Sequence, residues 1–175
     1  MPLAWCGIVL SPTLDYMDEA YRDAKASGIS KRPIVEILIP STLDDSLAPP
    51  GQHVASLFCQ QFKPEADWDA LKERAVQAVF DVVQAHCPNF RASLLGYRAL
   101  TPLDLEREFG LVGGDIFHGQ LSLDQLFSLR PLLGYARYRG PLRGLYHCGS
   151  GAHPGGGVTG APGHNAAAEI RRDLA

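Results

Sequence analysis

Apolar and polar positions along this chain follow two periods, one of strands and one of helices. Ala4–Leu10 (AWCGIVL) is a short apolar run of strand length. After it, Leu14, Met17, Ala20, Tyr21 and Ala24 recur at steps of three and four, the spacing of one helix face. Acids fall early in that stretch (Asp15, Asp18, Glu19) and bases later (Arg22, Lys25), as the helix dipole favours; Ser11 or Thr13 can cap its start and Gly28 can end it. Ile34–Ile39 is β-branched, bracketed by Pro33 and Pro40, with Glu36 as its single charge, and reads as a strand. Polar Ser41–Gly51 ends in Pro49-Pro50-Gly51, a turn. In Val54–Phe62, Val54, Ser56, Phe58 and Gln60 alternate with Ala55, Leu57 and Cys59, so a strand there has two distinct faces. Trp68–Cys87 carries a helical stripe of Leu71, Ala75, Ala78, Val79, Val82 and Val83, stopped by Pro88. Ser93–Leu100 is a fourth strand candidate.

The order β-α-β-β-α-β over residues 1–100 is that of a split β-α-β unit. The expected class is α+β: a ferredoxin-like antiparallel sheet with both helices, near Leu14–Ser27 and Trp68–Cys87, on one face. Residues 101–144 form a connecting segment. Thr101–Phe109 reads as a short helix with Pro102 in its first turn, and Gly110–Gly140 is irregular apart from a helical turn near Leu123–Phe127. Residues 145–175 close the chain with a short strand over Gly144–Cys148, a glycine loop, and a helix over the alanine-rich Asn165–Leu174.

Composition narrows the function classes. At 175 residues, with 46% apolar and 20% charged residues, the chain has the make-up of an ordinary globular domain. A net charge of -3 argues against a nucleic-acid surface. Cys6, Cys59, Cys87 and Cys148 are far apart and form no CxxC, which fits a reducing compartment; Cys59 sits in an apolar run and reads as a buried thiol. The apolar N-terminus lacks a basic flank and is too short to span a bilayer, and no later run is long enough either, so a soluble, intracellular protein is expected.

The densest chemistry lies in Leu145–Ala168, LYHCGSGAHPGGGVTGAPGHNAAA. Gly149, Gly151, Gly155, Gly156, Gly157, Gly160 and Gly163 fall within fifteen residues, between a strand and a helix start. Glycines admit close backbone approach and a helix N-terminus favours anions, so the ligand class is a phosphate or pyrophosphate. A full dinucleotide site also needs a second strand after the helix and an acid for the ribose, and the chain stops one helix later. His147, Cys148, His153 and His164 have no tight zinc spacing, which weighs against a metal site. Asp115 and His118 in GGDIFHG form a weaker acid–base pair, against which stands a plain packing loop. Glu36 reads as an outward-facing residue of an edge strand rather than a catalytic acid. No GxSxG elbow surrounds Ser11 or Ser150.

The stretch Cys148-Gly-Ser-Gly-Ala-His-Pro-Gly-Gly-Gly-Val-Thr-Gly-Ala resembles the C-terminal flavin-binding signature of phytoene dehydrogenase-like FAD-dependent oxidoreductases. Arg32–Ser41 with Leu47–Leu57, Leu100–Phe117 and Leu121–Pro131 resemble one subgroup of that family, so the likeness covers nearly the whole chain. It implies the C-terminal third or so of a family member: residues 1–100 as substrate-domain sheet, and residues 145–175 as the part that completes the FAD domain. Gly149, Ser150, Gly151, His153, Pro154, Gly155, Gly156, Gly157, Val158 and Gly160 would then line the flavin, with His153 facing the ring. Where many flavin amine-oxidase relatives place an acid after the first glycine, this chain has Ser150. The implied cofactor is FAD, held only together with an N-terminal Rossmann half or a partner chain that supplies GxGxxG. The implied chemistry is oxidation or desaturation of an apolar substrate, with the chain inactive alone. The implied place is the cytoplasm, or the mitochondrial matrix in a eukaryote. Two further readings stay open: a stand-alone ferredoxin-like module that binds a ligand or protein without catalysis, and a binder completed as a homodimer. Leu121, Leu123, Leu126, Phe127, Leu129, Leu132 and Leu133 crowd the irregular segment and are expected to dock on the sheet or drive association.

Overall fold

A computed structural model describes residues 7–175. Ala4, Trp5 and Cys6 of the first expected strand lie outside the described residues. The chain divides into two compact units, residues 1–104 and 105–175.

In the first unit, β1 (Ile8–Leu10) leads to α1 (Leu14–Ser27). Thr13 is the cap: its Oγ1 accepts from the Tyr16 N–H at 3.1 Å. Asp15 in the first turn and Lys25 in the last complement the dipole. Gly28 ends the helix at φ 86°, its N–H donating to the Ala24 carbonyl at 2.8 Å. A Cβ there would stand 2.9 Å from the Ala66 Cβ, so both backbone and space require glycine.

β2 (Ile29–Leu38) pairs antiparallel with β1 on one side and with β3 (Ser56–Phe62) on the other. It starts earlier than its β-branched stretch and runs through Pro33. The register with β3 shifts between Ile29 and Ile34, and such an irregularity is where a strand tolerates a residue with no N–H. β2 is the central strand, so Glu36 is not on an edge; its carboxylate accepts from Gln60 Nε2 at 2.5 Å, across the strand pair.

The main core forms where Leu10, Val35 and Ile37 meet Val76, Val79, Phe80 and Val83 of α2 (Trp68–His86), with Leu57 and Cys59 packed beside them. Each of these apolar side chains is worth about 1.5–3 kcal/mol when fully buried. Cys59, expected as a buried thiol, is half-buried beside this core, and that burial pushes its pKa up to about 12. A second cluster joins Ile29, Trp68 and Ala75 to Phe62, Leu71 and Leu103.

The sheet has three strands in the order β1-β2-β3, all antiparallel, so the interleaved order of a ferredoxin-like unit is not what the chain adopts. Among the described residues Ser93–Leu100 makes no fourth strand. Ser93 ends a short helix, α3 (Phe90–Ser93), and the extended chain after it lies on α2 instead. Leu94 and Ala99 pack on the main core, and the Tyr97 ring meets Phe80 edge-on at 5.1 Å. Those side chains are used against a helix, which leaves no sheet edge to join.

α4 (Pro102–Phe109) begins with a reciprocal cap. Asp104 N–H donates to Thr101 Oγ1 at 3.1 Å, while the Asp104 carboxylate accepts from Thr101 N–H and Oγ1, both at 2.8 Å. Lys72 Nζ adds a contact at 2.8 Å.

The second unit contains no strand among its described residues. The expected strand over Gly144–Cys148 is reduced to a single antiparallel bridge, Arg139 with Tyr146, bounded on one side by Gly144 at φ 83°. Single 3-10 turns at Leu123–Gln125 and Phe127–Leu129 stand where a helical turn is expected. α5 (Ala161–Leu174) starts four residues before its alanine-rich stretch, with Gly160 before it at φ 71° and Pro162 in its first turn. None of the helices among the described residues is long and apolar enough to cross a membrane.

The Thr101–Asp104 cap predicts a pH-dependent stability. The Lys72 ammonium and the two Thr101 donors hold the Asp104 pKa down at about 2. The ionised form is therefore favoured by folding. Its contribution is complete above the unfolded carboxylate value near ~4 and is lost as pH falls through about 2. Asp104→Asn should lower stability by about 1 kcal/mol at pH 7 in urea titrations. The difference from wild type should shrink below pH ~4. A constant difference down to the acid limb would show that the carboxylate charge plays no part.

Candidate functional site

The glycine loop lies wholly in the second unit and supplies few side chains to hold itself. Its path is set by three residues from elsewhere in that unit. Tyr138 donates its hydroxyl proton to the His153 carbonyl at 2.9 Å and accepts from Asn165 Nδ2 of α5 at 2.8 Å. Arg130 donates through one terminal nitrogen to the Ser150 carbonyl at 2.9 Å and the His118 carbonyl at 3.3 Å, and through the other to the Gln120 carbonyl at 3.3 Å. Within the loop, Ala152 N–H reaches the Gly149 carbonyl at 3.0 Å and Gly155 N–H the Ala152 carbonyl at 2.8 Å, two successive tight turns.

These ties sort the expected site residues into two groups. Ser150, Gly151 and His153 are half-buried and Gly155 is buried; a Cβ on Gly155 would sit 3.5 Å from a Leu121 methyl, with φ at 101°. The His153 ring lies 5.9 Å from the ring of Phe127, tilted against it. Gly149, Pro154, Gly156, Gly157, Val158 and Gly160 are exposed. Val158 is a β-branched residue at φ 56°, a conformation such residues rarely hold.

An open cleft of about 500 Å³ lies alongside, lined by His118, Gln125, Arg130, His147, Gly149 and Gly151 among others. It brings the first part of the loop together with His118. Asp115 is not drawn in as an acid–base partner: its carboxylate accepts from the Phe117 and Gly119 N–H groups at 2.8 and 2.7 Å, which uses it to close a turn. Nor do His147, Cys148, His153 and His164 converge. Among the described residues no three His, Cys, Asp or Glu stand close enough to hold a metal ion.

At the other end of the loop, α5 begins against the segment that leads into it: a Cβ on Gly163 would lie 3.6 Å from the Cys148 carbonyl. The far end of α5 is anchored by charge. Arg139 pairs with Glu169 and, at 2.8 Å, with Asp173, which also accepts from the Tyr146 hydroxyl at 2.7 Å. The Arg139 and Tyr146 donors hold the Asp173 carboxyl down at about 2, and the Asp173 and Glu169 carboxylates raise the Arg139 guanidinium above its ordinary value.

Arg130, Tyr138 and Asn165 are missing from a reading of motif residues alone. Arg130 does leave a trace: it is a lone cation between Leu129 and Pro131-Leu132-Leu133. Tyr138 and Asn165 leave none, since their roles rest on contacts 15 and 27 residues away in sequence.

No protein-family model matches the chain. Individual proteins do. It is 52% identical over 164 residues, 90% of its length, to pyridine nucleotide-disulfide oxidoreductase domain-containing protein 2 of Rattus norvegicus, and 49% identical over the same length to that of Mus musculus. It is 30% identical over 128 residues, 71% of its length, to a phytoene desaturase (lycopene-forming) of a Paracoccus species. The chain spans 28% of the length of the rat and mouse proteins and 25% of that of the desaturase.

The loop geometry makes Tyr138 a test of how the glycine run is held. Tyr138→Phe removes a donor and an acceptor at once, at a cost of about 1 kcal/mol or somewhat more. Amide hydrogen exchange at Ala152 and Gly155 should quicken by roughly five- to tenfold. Exchange at Val35 in the first unit should not change. Unaltered exchange in the loop would mean that the glycine run holds its path without Tyr138.

Proposed function

We propose that a chain with this likeness supplies the C-terminal portion of a FAD-dependent oxidoreductase of the phytoene dehydrogenase-like kind, acting on an apolar substrate by oxidation or desaturation. In this reading residues 1–100 belong to the substrate domain and residues 145–175 complete the flavin domain. The adenosine contacts come from a GxGxxG unit outside these 175 residues, in the same polypeptide or in a partner chain. Without that unit the chain is inactive and binds FAD weakly.

The observation that carries the proposal is the exposed, side-chain-poor run from Gly156 to Gly160, which follows a segment tied at Ser150 by Arg130 and at His153 by Tyr138, itself bonded by Asn165. The residues present fit a flavin. Beside Gly156 a Cβ would find only ordinary contacts, with Phe117 at 3.7 Å and Ser150 at 3.8 Å, so nothing in the chain itself demands a glycine there. A second group packed against that face would. The strained backbone of Val158 is a further mark of a functional loop.

When bound, FAD would accept the two electrons removed from the substrate. The work left to this chain is positioning. Gly149, Gly151 and Gly155–Gly157 would let the backbone approach closely, with Ser150 and His153 between them in the loop.

The test is co-expression of this chain with the GxGxxG-bearing half of a related protein, read by the absorption spectrum of the purified complex. A yellow complex with flavin bands is expected, with little flavin retained by this chain alone. Gly156→Val should cut flavin occupancy at least tenfold and leave the melting of the 175-residue chain within about 0.5 kcal/mol of wild type. Normal flavin content in that variant would remove the main support for the assignment.

A further inference from the structure

Glu36 has no part in the reading of the glycine loop, and its surroundings are unusual for a carboxylate. It lies on the central strand β2, where Val9 of β1 and Phe58 of β3 stand directly opposite it on either side. Successive side chains of a strand point to opposite faces. Val35 and Ile37 are on the face that packs against α2, so Glu36 and Leu38 are on the other. The solvent-facing side of an antiparallel sheet is ordinarily polar. Here Val9, Leu38 and Phe58 are apolar and 59%, 56% and 40% exposed. Ile34, one pair further along the same face, is buried, so the open area begins at Glu36.

Glu36 itself is half-buried. Its partner among the described residues is neutral: Gln60 Nε2 donates to Oε1 at 2.5 Å. Gln60 holds the carboxylate in place without matching its charge. An ionised carboxylate can accept about four hydrogen bonds, so one donor leaves most of that capacity free. Whatever covers this face must strip water from Glu36. A pure hydrocarbon would leave the charge buried and unmet, at high cost. A second carboxylate would add repulsion. A molecule with an apolar stem and an ammonium end suits both parts of the face, with the stem on Val9, Leu38 and Phe58 and the ammonium on Glu36.

We infer that the open face of the first unit's sheet binds an apolar molecule carrying a protonated amine, with Glu36 as its countercharge and Gln60 as the residue that positions Glu36. The inference deepens the proposed oxidoreductase reading and rests on it only for the ligand's being the substrate. It narrows that substrate from apolar molecules in general to those with a cationic end. The chain spans 28% of the length of its rat and mouse relatives, so further polypeptide of such a protein is the rival occupant of this face.

The test titrates the 15N-labelled 175-residue chain at pH 7 with octylamine hydrochloride, 1-octanol and sodium octanoate, ionic strength being held constant with potassium chloride. Octylammonium should give saturable shifts at the amides of Val9, Glu36 and Phe58, with Val83 of α2 unmoved. It should bind roughly fivefold tighter than octanol, the gain of one charge-assisted contact at a partly exposed site, and octanoate should bind weakest. Glu36→Gln should bring octylammonium down to the octanol level and leave octanol as it was. Where Glu36→Gln fails to fold, the wild-type series of three ligands decides by itself. Equal affinity for octylammonium and octanol in the wild-type chain would overturn the inference. So would an undiminished preference for the amine in a folded Glu36→Gln, or no saturable shift with any of the three. In the two-chain complex of the co-expression experiment octylammonium should still shift Glu36. Loss of that shift there would give the face to the added polypeptide and overturn the inference too. A colourless complex would instead count against the flavin reading, whatever octylammonium does.

Discussion

A backbone that carries few side chains cannot hold its own shape, and the run from Gly149 to Gly160 is such a backbone. Each glycine there loses more conformational entropy on ordering than an alanine would, and brings no side chain to pack in return. The remedy is a set of hydrogen bonds donated from outside to its carbonyls: Arg130 to Ser150, and Tyr138 to His153, with Asn165 fixing the Tyr138 hydroxyl. The donors reach Ser150 and His153 in the first half of the loop, and Gly156–Gly160 beyond them stays exposed. A tied first half and an exposed second half are what a loop needs if a flat group is to lie against it.

The two units are stable for different reasons. The first has an ordinary apolar core in which a ten-residue central strand meets a nineteen-residue helix. Its polar contacts sit at element ends, as in the Thr13, Gly28 and Thr101–Asp104 caps. The second leaves Leu123, Phe127, Leu132, Leu133 and Leu142 exposed and relies on hydrogen bonds and on the Arg139 charge cluster at the far end of α5. Hydrogen bonds to carbonyls contribute about 1 kcal/mol each, against 1.5–3 kcal/mol for a buried apolar side chain. Local opening should therefore be easier in the second unit, and the segments that reshape around ligands are drawn from the easily opened end of a fold.

What the sequence disclosed follows the reach of each signal. Periodicity and caps are local, so α1 ends at Gly28 and α2 runs from Trp68 as the residues imply. Strand partnership is not local. The apolar stretch Ser93–Leu100 has the composition of a strand, yet Leu94, Tyr97 and Ala99 find better contacts on α2 than on a sheet edge, and the sheet stops at three strands in simple order. Pro33 reads as a strand boundary, but a register shift beside it lets β2 continue to Ile29. The glycine motif is legible as a motif. The tyrosine, asparagine and arginine that shape it are ordinary residues whose meaning comes from folding.

Arg130 is where these lines meet. A hydrophobic residue between Leu129 and Pro131 would be the cheaper way to fill that space, because desolvating a guanidinium without a carboxylate partner costs several kcal/mol in general. Three carbonyls offset part of that cost, and a neutral donor such as glutamine could have served some of them without bringing a charge. The charge itself is therefore the part that loop-holding leaves unexplained. It stands in the wall of the open cleft beside the start of the glycine loop. Arg130→Lys keeps the charge and Arg130→Gln keeps some of the donors, so the two substitutions should have separable effects on the loop.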